Sequence, residues 1–326
     1  MGQVRVLLSV AGLAVLCACG GLHYPTSGTD PNSSSPLVTQ GVTASVTSKD
    51  LSARNAGSAY AAGKLIALTF DDGPRPYVLF GSKGGHIAPG LVDVLEQNGV
   101  KATFFVVGWR LTPKTWGEPR HEEDIGMTCI DAAEQLTKRG HELEDHTYSH
   151  MELRSAEKKM GEPWVTHDVD RGAQAIKAIT GTQPRYLRPP DWMITSDARR
   201  ELQHHGYHVL TISSENPMAL RDVNSLDYLC AGKNPTGCPR PSLVDGVLKQ
   251  VEQREKRGVY THILAFHELT STATVMPRLI TDLKARGYRF VTLAEYMDMV
   301  ASKADQPVKQ QAAAGTGRIR VAALTR

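Results

Sequence analysis

Residues 67–74 read "ALTFDDGP", an apolar run that ends in two adjacent aspartates and is closed by Gly73 and Pro74. Two neighbouring carboxylates repel each other, so the chain must separate them or supply a compensating positive charge. With Leu65 and Ile66 in front, the run Leu65–Phe70 has the bounded apolar form of a buried strand. Outward from it, short β-rich runs alternate with longer amphipathic segments, and a glycine such as Gly140 or Gly181 closes each helical pattern. The strands predicted are Leu65–Phe70, Thr103–Val107, His141–Asp145, Arg185–Arg188, Tyr207–Ile212, Ile263–His267 and Tyr288–Thr292. Seven strands alternating with helices predict a parallel sheet curled into a distorted (β/α)7 barrel.

The reactive side chains fall at the carboxyl ends of these strands. Asp71 and Asp72 follow the first, His146 and His150 the third, while Arg188 ends the fourth and His267 the sixth. In a parallel barrel those ends share one face, so distant residues converge on one site. His146 and His150, in "DHTYSH", have the i, i+4 spacing that puts two imidazoles on one side of a turn. A chain with twelve histidines in 326 residues holds about 0.4 such pairs by chance, so the spacing alone decides nothing. Two imidazoles with one carboxylate, however, make the three-ligand set of a catalytic zinc with a position left open. One aspartate then ligates the metal and its neighbour stays free to accept a proton. The competing reading of "DDG" is a turn carrying two solvated acids.

At this point the chain resembles the polysaccharide deacetylases of the NodB-homology type. "TFDDGP" matches the first motif of that family, "HTYSH" the second, "RPP" at 188–190 the start of the third, and "AFHE" part of the last. The resemblance covers about residues 64–300 and includes "GVKATFFVVG" and "RGYRFVTLAEY". It implies a distorted barrel of about seven β/α units, a divalent metal that is most often zinc, and hydrolysis of N-acetyl groups on a polysaccharide. It further implies that Asp71 is the catalytic base, that Asp72, His146 and His150 bind the metal, that Arg188 pairs with the base, and that His267 is the general acid. Pro189, Asp191 and Trp192 fall where the third motif meets substrate. Trp109, Trp116 and Trp192 are candidates for stacking on sugar rings, and only Trp192 is tied to a motif.

Three departures stand out. Asp191 and Trp192 follow Pro190 where the family has an aromatic residue and glycine, and Ala265 replaces a leucine two residues before His267. The fourth motif, which carries a tryptophan and the acid that supports the catalytic histidine, aligns with "VLTISSENP", where Glu215 is the nearest acid. Glu215 is therefore the expected support for His267. Insertions at 75–87, 109–128 and 214–241 are expected to shape the cleft.

The ends of the chain speak to location. Residues 1–18 carry Arg5 followed by thirteen apolar or small residues, a signal-peptide pattern too short to span a bilayer. Cys19 sits where a lipoprotein would be cleaved and lipidated, which predicts a membrane-anchored protein of the cell envelope. Cleavage near Ala18 and soluble secretion is the alternative. Residues 19–63 read as a flexible tether, 64–302 as one domain, and 303–326 as a disordered tail. A formal charge of +3 gives no argument for nucleic acid, and a monomer is expected. In an oxidising compartment "CAGKNPTGC" suits a disulfide between Cys230 and Cys238, leaving Cys129 as a buried thiol. Three functions remain open: N-deacetylation of peptidoglycan or an N-acetylglucosamine polymer, O-acetyl esterase activity on glycan, and silent glycan binding.

Overall fold

A computed structural model describes residues 63–81, 89–112, 126–211, 222–230, 238 and 242–304. The signal sequence, Cys19, the tether up to residue 62, Trp116, Glu215 and the tail beyond 304 lie outside the described residues.

The chain runs β1 (Leu65–Gly73), α1 (Pro76–Phe80), α2 (Leu91–Gln97), β2 (Thr103–Val106), α3 (Cys129–Lys138), β3 (Glu142–Asp145), α4 (Leu153–Met160) and α5 (Glu162–Thr180). It continues through β4 (Tyr186–Leu187), α6 (Ser196–His204), β5 (His208–Val209), β6 (Asp222–Asn224), α7 (Leu243–Glu255), β7 (Thr261–His267), α8 (Thr270–Ala285), β8 (Arg289–Val291) and α9 (Leu293–Ala304). Every strand pairing is parallel. Seven strands follow one path, β5-β4-β3-β2-β1-β7-β6, and β8 attaches to β1. No pairing joins β5 to β6 among the described residues, so the curl stays open there.

The predicted barrel of seven units is present, but its seven strands are not the seven predicted. β6 lies inside the stretch read as an insertion, because "DVN" offers a single apolar residue, Val223, and no alternation to detect. The predicted last strand leaves the path and becomes β8. It pairs Arg289–Val291 with Leu65–Ala67, whereas β2 takes the later half of β1, Thr69–Gly73. Predicted strands at 185–188 and 207–212 shrink to two paired residues each. The domain's last helix reaches Ala304, two residues beyond the predicted boundary.

β1 is buried on both faces, and its side chains alternate between two cores. Ile66, Leu68 and Phe70 pack outward with Leu95, Phe104 and Ile280 under the helices. Leu65 and Ala67 point inward with Phe105, Ile263 and Tyr296. The same period carries Thr69 and Asp71 to the barrel interior. A register shift between Asp71 and Gly73, with Asp72 at φ 71°, then ends the alternation. The two aspartates are thus sent different ways by the backbone.

A disulfide joins Cys230 and Cys238, and Cys129 is buried at the start of α3. Among the described residues, no helix is long and apolar enough to cross a membrane.

Candidate active site

Asp71 and His267 are register partners at the carboxyl ends of β1 and β7, which sets them side by side on one face. A cavity of about 430 Å³ opens there. Asp71, Asp72, His146, His150, Pro189, Asp191, Trp192 and His267 all line it, although the chain separates the first from the last by nearly two hundred residues.

Asp72 Oδ1 lies 2.8 Å from His150 Nε2 and 3.4 Å from His146 Nε2. One ligand atom from each of the three residues falls within 4.8 Å of the others. Burial opposes ionisation of Asp72, but hydrogen bonds and charge from the two histidines outweigh it and hold the carboxyl well below its usual range. His146 Nδ1 is 2.6 Å from the carbonyl oxygen of Arg188. A carbonyl only accepts, so Nδ1 carries a proton and Nε2 is the ring atom turned toward Asp72. A cation would satisfy all three ligand atoms in place of the imidazole protons that hold Asp72 ionised. Two imidazoles and one carboxylate suit a first-row divalent cation, so the donor set fits a metal.

Arg188 is fully buried behind the cavity, its guanidinium 4.1 Å from the ring of Phe105 and 4.6 Å from that of Trp192. Held between two rings, it donates through Nη1 to Asp71 Oδ1 at 2.6 Å and to Thr69 Oγ1 at 2.9 Å. This bidirectional grip orients the Asp71 carboxylate.

His267 contacts an acid to which the sequence analysis gave no role. Its Nδ1 lies 2.7 Å from Asp227 Oδ1, and its backbone N–H donates to Asp227 Oδ2 at 2.7 Å. Thr272 Oγ1 donates to the same oxygen at 2.6 Å. Asp227, on a short 3-10 turn after β6, thus fills the supporting place at His267 for which Glu215 was expected, and Glu215 itself lies outside the described residues. The legible signal was an acid beside an aromatic residue, Asp227–Tyr228, and it was obscured because β6 had not been identified. Tyr228 packs edge-on to His267 with centroids 5.6 Å apart. Burial pushes the His267 imidazole down, but the Asp227 hydrogen bond and the charges of Asp71, Asp227 and Asp72 prevail and raise it to about 9. Asn224, Tyr228 and Leu269 complete the lining and were not anticipated.

A three-donor metal cluster, a clamped carboxylate and an acid-supported histidine at one end of a parallel β/α barrel define a hydrolase site of the metal-assisted acid–base class. Residues 59–210 match the family described as polysaccharide deacetylase. It is 26% identical over 233 residues to a chitin deacetylase of Colletotrichum lindemuthianum, covering 71% of this chain and 78% of the relative. It is 24% identical over 239 residues to a peptidoglycan-N-acetylglucosamine deacetylase of Bacillus cereus, covering 72% and 88%. A bifunctional xylanase/deacetylase of Pseudobutyrivibrio xylanivorans is 25% identical over 253 residues, and the chain spans only 32% of its length. Peptidoglycan deacetylase PdaC from Bacillus subtilis shares the fold with a TM-score of 0.50 at 21% identity, covering 74% of this chain and 93% of that one.

Proposed function

We propose that the protein is a metal-dependent hydrolase that removes N-acetyl groups from an envelope or extracellular polysaccharide, peptidoglycan or an N-acetylglucosamine polymer. The observation that carries this reading is the pairing across one cavity of a clamped carboxylate, Asp71, with an imidazole raised to about 9, His267. Amide hydrolysis needs a proton acceptor when water attacks and a proton donor when the amine leaves, and these two groups face one cavity from neighbouring strand ends to serve as the pair.

Asp72, His146 and His150 would hold the metal, with zinc the best match to two nitrogens and one oxygen. When bound there, it supplies Lewis acidity that lowers the pKa of water and stabilises developing oxyanion charge. Asp71 takes the proton from the attacking water, and the guanidinium of Arg188 holds its carboxylate in place and aimed. His267 donates to the leaving nitrogen. Asp227 holds the ring in the required tautomer and favours the charged form, as a buried acid behind a catalytic histidine does. Pro189, Asp191 and Trp192 form the wall against which the sugar lies.

The signal sequence and Cys19 support a lipid-anchored envelope location. Mass spectrometry of the mature N-terminus tests that point, and an unmodified residue there would refute it. The activity is tested by incubating the mature protein with zinc and a panel of glycans while measuring acetate and free amine. Acetate with an equal yield of new amine is expected. Acetate without amine would move the activity to O-acetyl esters, and no acetate from metal-loaded protein would refute the catalytic reading.

A further inference from the structure

Beside the metal cluster lies a second, smaller cavity of about 200 Å³ that His267 does not line. Asp72 and His150 line both cavities, so the two are neighbouring lobes of one cleft. The smaller lobe is walled by Arg75, from the turn after β1, and by Val107, Trp109 and Arg110, from the 3-10 turn after β2. Two arginines from separate turns line it together, with the Arg110 guanidinium 4.6 Å from the Trp109 ring.

Neither guanidinium forms an ion pair among the described residues, and the Nε atoms of both are buried without an acceptor. Asp72 and Glu268, the described acids at this place, do not balance them. Asp72 is committed to His146 and His150. Glu268 is fully buried beneath the turn and accepts the backbone N–H of Arg75 at 2.6 Å, and burial pushes its carboxyl up to about 8, leaving it mostly uncharged at neutral pH. Among the described residues, two positive forks of the kind that grips a planar anion thus stand beside the metal cluster without a charged partner.

We infer that this lobe is a subsite for a carboxylate carried by the polysaccharide close to the acetylated sugar, so that the preferred substrate is an acidic N-acetylated glycan over a neutral one. The inference rests on the glycan-directed reading above and specifies it. The forks suit the carboxylate, while Val107 and the Trp109 ring offer an apolar wall to its carbon attachment. A lactyl ether, with a carboxylate and a methyl on one carbon, matches both halves of the lobe; a uronate matches only the charged half.

Equilibrium binding to the intact metal-loaded protein tests this, with three probes of equal length. They are a neutral N-acetylglucosamine oligomer, peptide-free peptidoglycan strands bearing lactyl carboxylates, and an alternating N-acetylglucosamine–glucuronate oligomer. The lactyl strands should bind at least about tenfold more tightly than the neutral oligomer, a ratio equivalent to about 1.4 kcal/mol. Arg75→Gln with Arg110→Gln should abolish that preference while leaving the neutral oligomer's Kd within about twofold, which also reports an intact fold. Arg75→Lys with Arg110→Lys should retain part of it. Equal tightening by the glucuronate oligomer keeps the carboxylate subsite and assigns it to acid alone. Equal Kd for all three probes, or loss of neutral and acidic binding together in the double Gln variant, overturns the inference. Because binding is the readout, a failure to release acetate would refute the deacetylase reading without deciding this one.

Discussion

Asp227→Asn should convert a pH-insensitive activity near neutrality into one that fails on the alkaline side. The imidazole of His267 is ordinarily half-protonated at 6.5 and here is raised to about 9, a difference worth roughly 3 kcal/mol in favour of the charged ring. Burial works against that rise, and the hydrogen bond to Asp227 is the largest influence overcoming it. The charges of Asp71 and Asp72 also contribute, but a bound divalent cation cancels much of Asp72's share, so the dependence on Asp227 grows in the loaded enzyme. Asparagine keeps the shape and removes the charge. The donor form of His267 exists below its pKa and is lost as pH rises through it, so lowering the pKa moves the basic limb of the kcat profile to lower pH. A drop to about 7 leaves about a tenth of the sites protonated at pH 8, against about nine-tenths in the parent. The variant should therefore lose about tenfold more activity at pH 8 than at pH 6, and whatever loss remains at pH 6 measures misorientation of the ring. Paired pH–rate profiles with metal content determined at each pH form the assay, and an NMR titration of His267 gives the pKa directly. A basic limb that stays put in Asp227→Asn, with full metal occupancy, would refute the role assigned to Asp227.

Three further outcomes are expected. Asp72→Ala should lose metal and activity together, whereas Asp71→Asn should retain metal and lose most turnover; equal metal content in the two purified variants would overturn the division of roles. Gly172→Ala in α5 should destabilise the fold by about 1–3 kcal/mol and weaken metal binding, because its Cβ would stand 2.6 Å from Asp145 Oδ1 and 3.0 Å from the backbone of Thr147, beneath the histidine loop. Urea melts and a chelator competition check both, and unchanged metal affinity would show that α5 does not brace the loop. Glu144, pushed up to about 8 by burial, keeps its proton in the folded state over a range where the unfolded chain gives it up, so its contribution is complete below about 4.5 and is lost as pH rises toward 8. Glu144→Gln, which preserves an acceptor for the backbone N–H groups of Arg185 and Tyr186, should raise Tm at pH 8 and change little at pH 5; the opposite order would contradict the assignment.

The sequence disclosed most of the metal half of this site and less of the acid half, for physical reasons. "TFDDGP" and "HTYSH" are local: the ligands sit within a few residues of the strand ends that carry them, so spacing and strand position suffice to place Asp72, His146 and His150 together. Arg188 was legible in the same way, as the last residue of a strand. Asp227 was not, since it is positioned by β6, whose three residues gain their strand character from pairing with β7 and not from their own pattern. Once that strand was missed, the acid had to be sought in the preceding loop. The swap of β8 for β6 in the barrel path has the same origin. "RFV" reads more like a strand than "DVN", but which of them continues the sheet beyond β7 is decided by long-range packing.

The backbone offers an independent account of where the chemistry lies. Six non-glycine residues among those described have positive φ: Asp72, Thr147, His150, Asp191, Trp192 and Leu226. Such conformations cost roughly 1–2 kcal/mol each for residues with a Cβ and persist only where the surroundings over-determine them. All six belong to the loops of this site: two are candidate metal ligands, one lies between the histidines, two line the cavity and one precedes Asp227. The compensation is visible at the histidine loop. Thr147 N–H donates to the buried Asp145, and His150 N–H donates to the hydroxyl of Thr147. Asp168 of α5 accepts from the backbone N–H and hydroxyl of Ser149, while its carbonyl accepts from Tyr148. A loop without function would relax such strain by substituting glycine or changing course. Here the fold commits two buried acids and a close helix contact at Gly172 to holding it, so the left-handed turns are part of how His146 and His150 are aimed at Asp72.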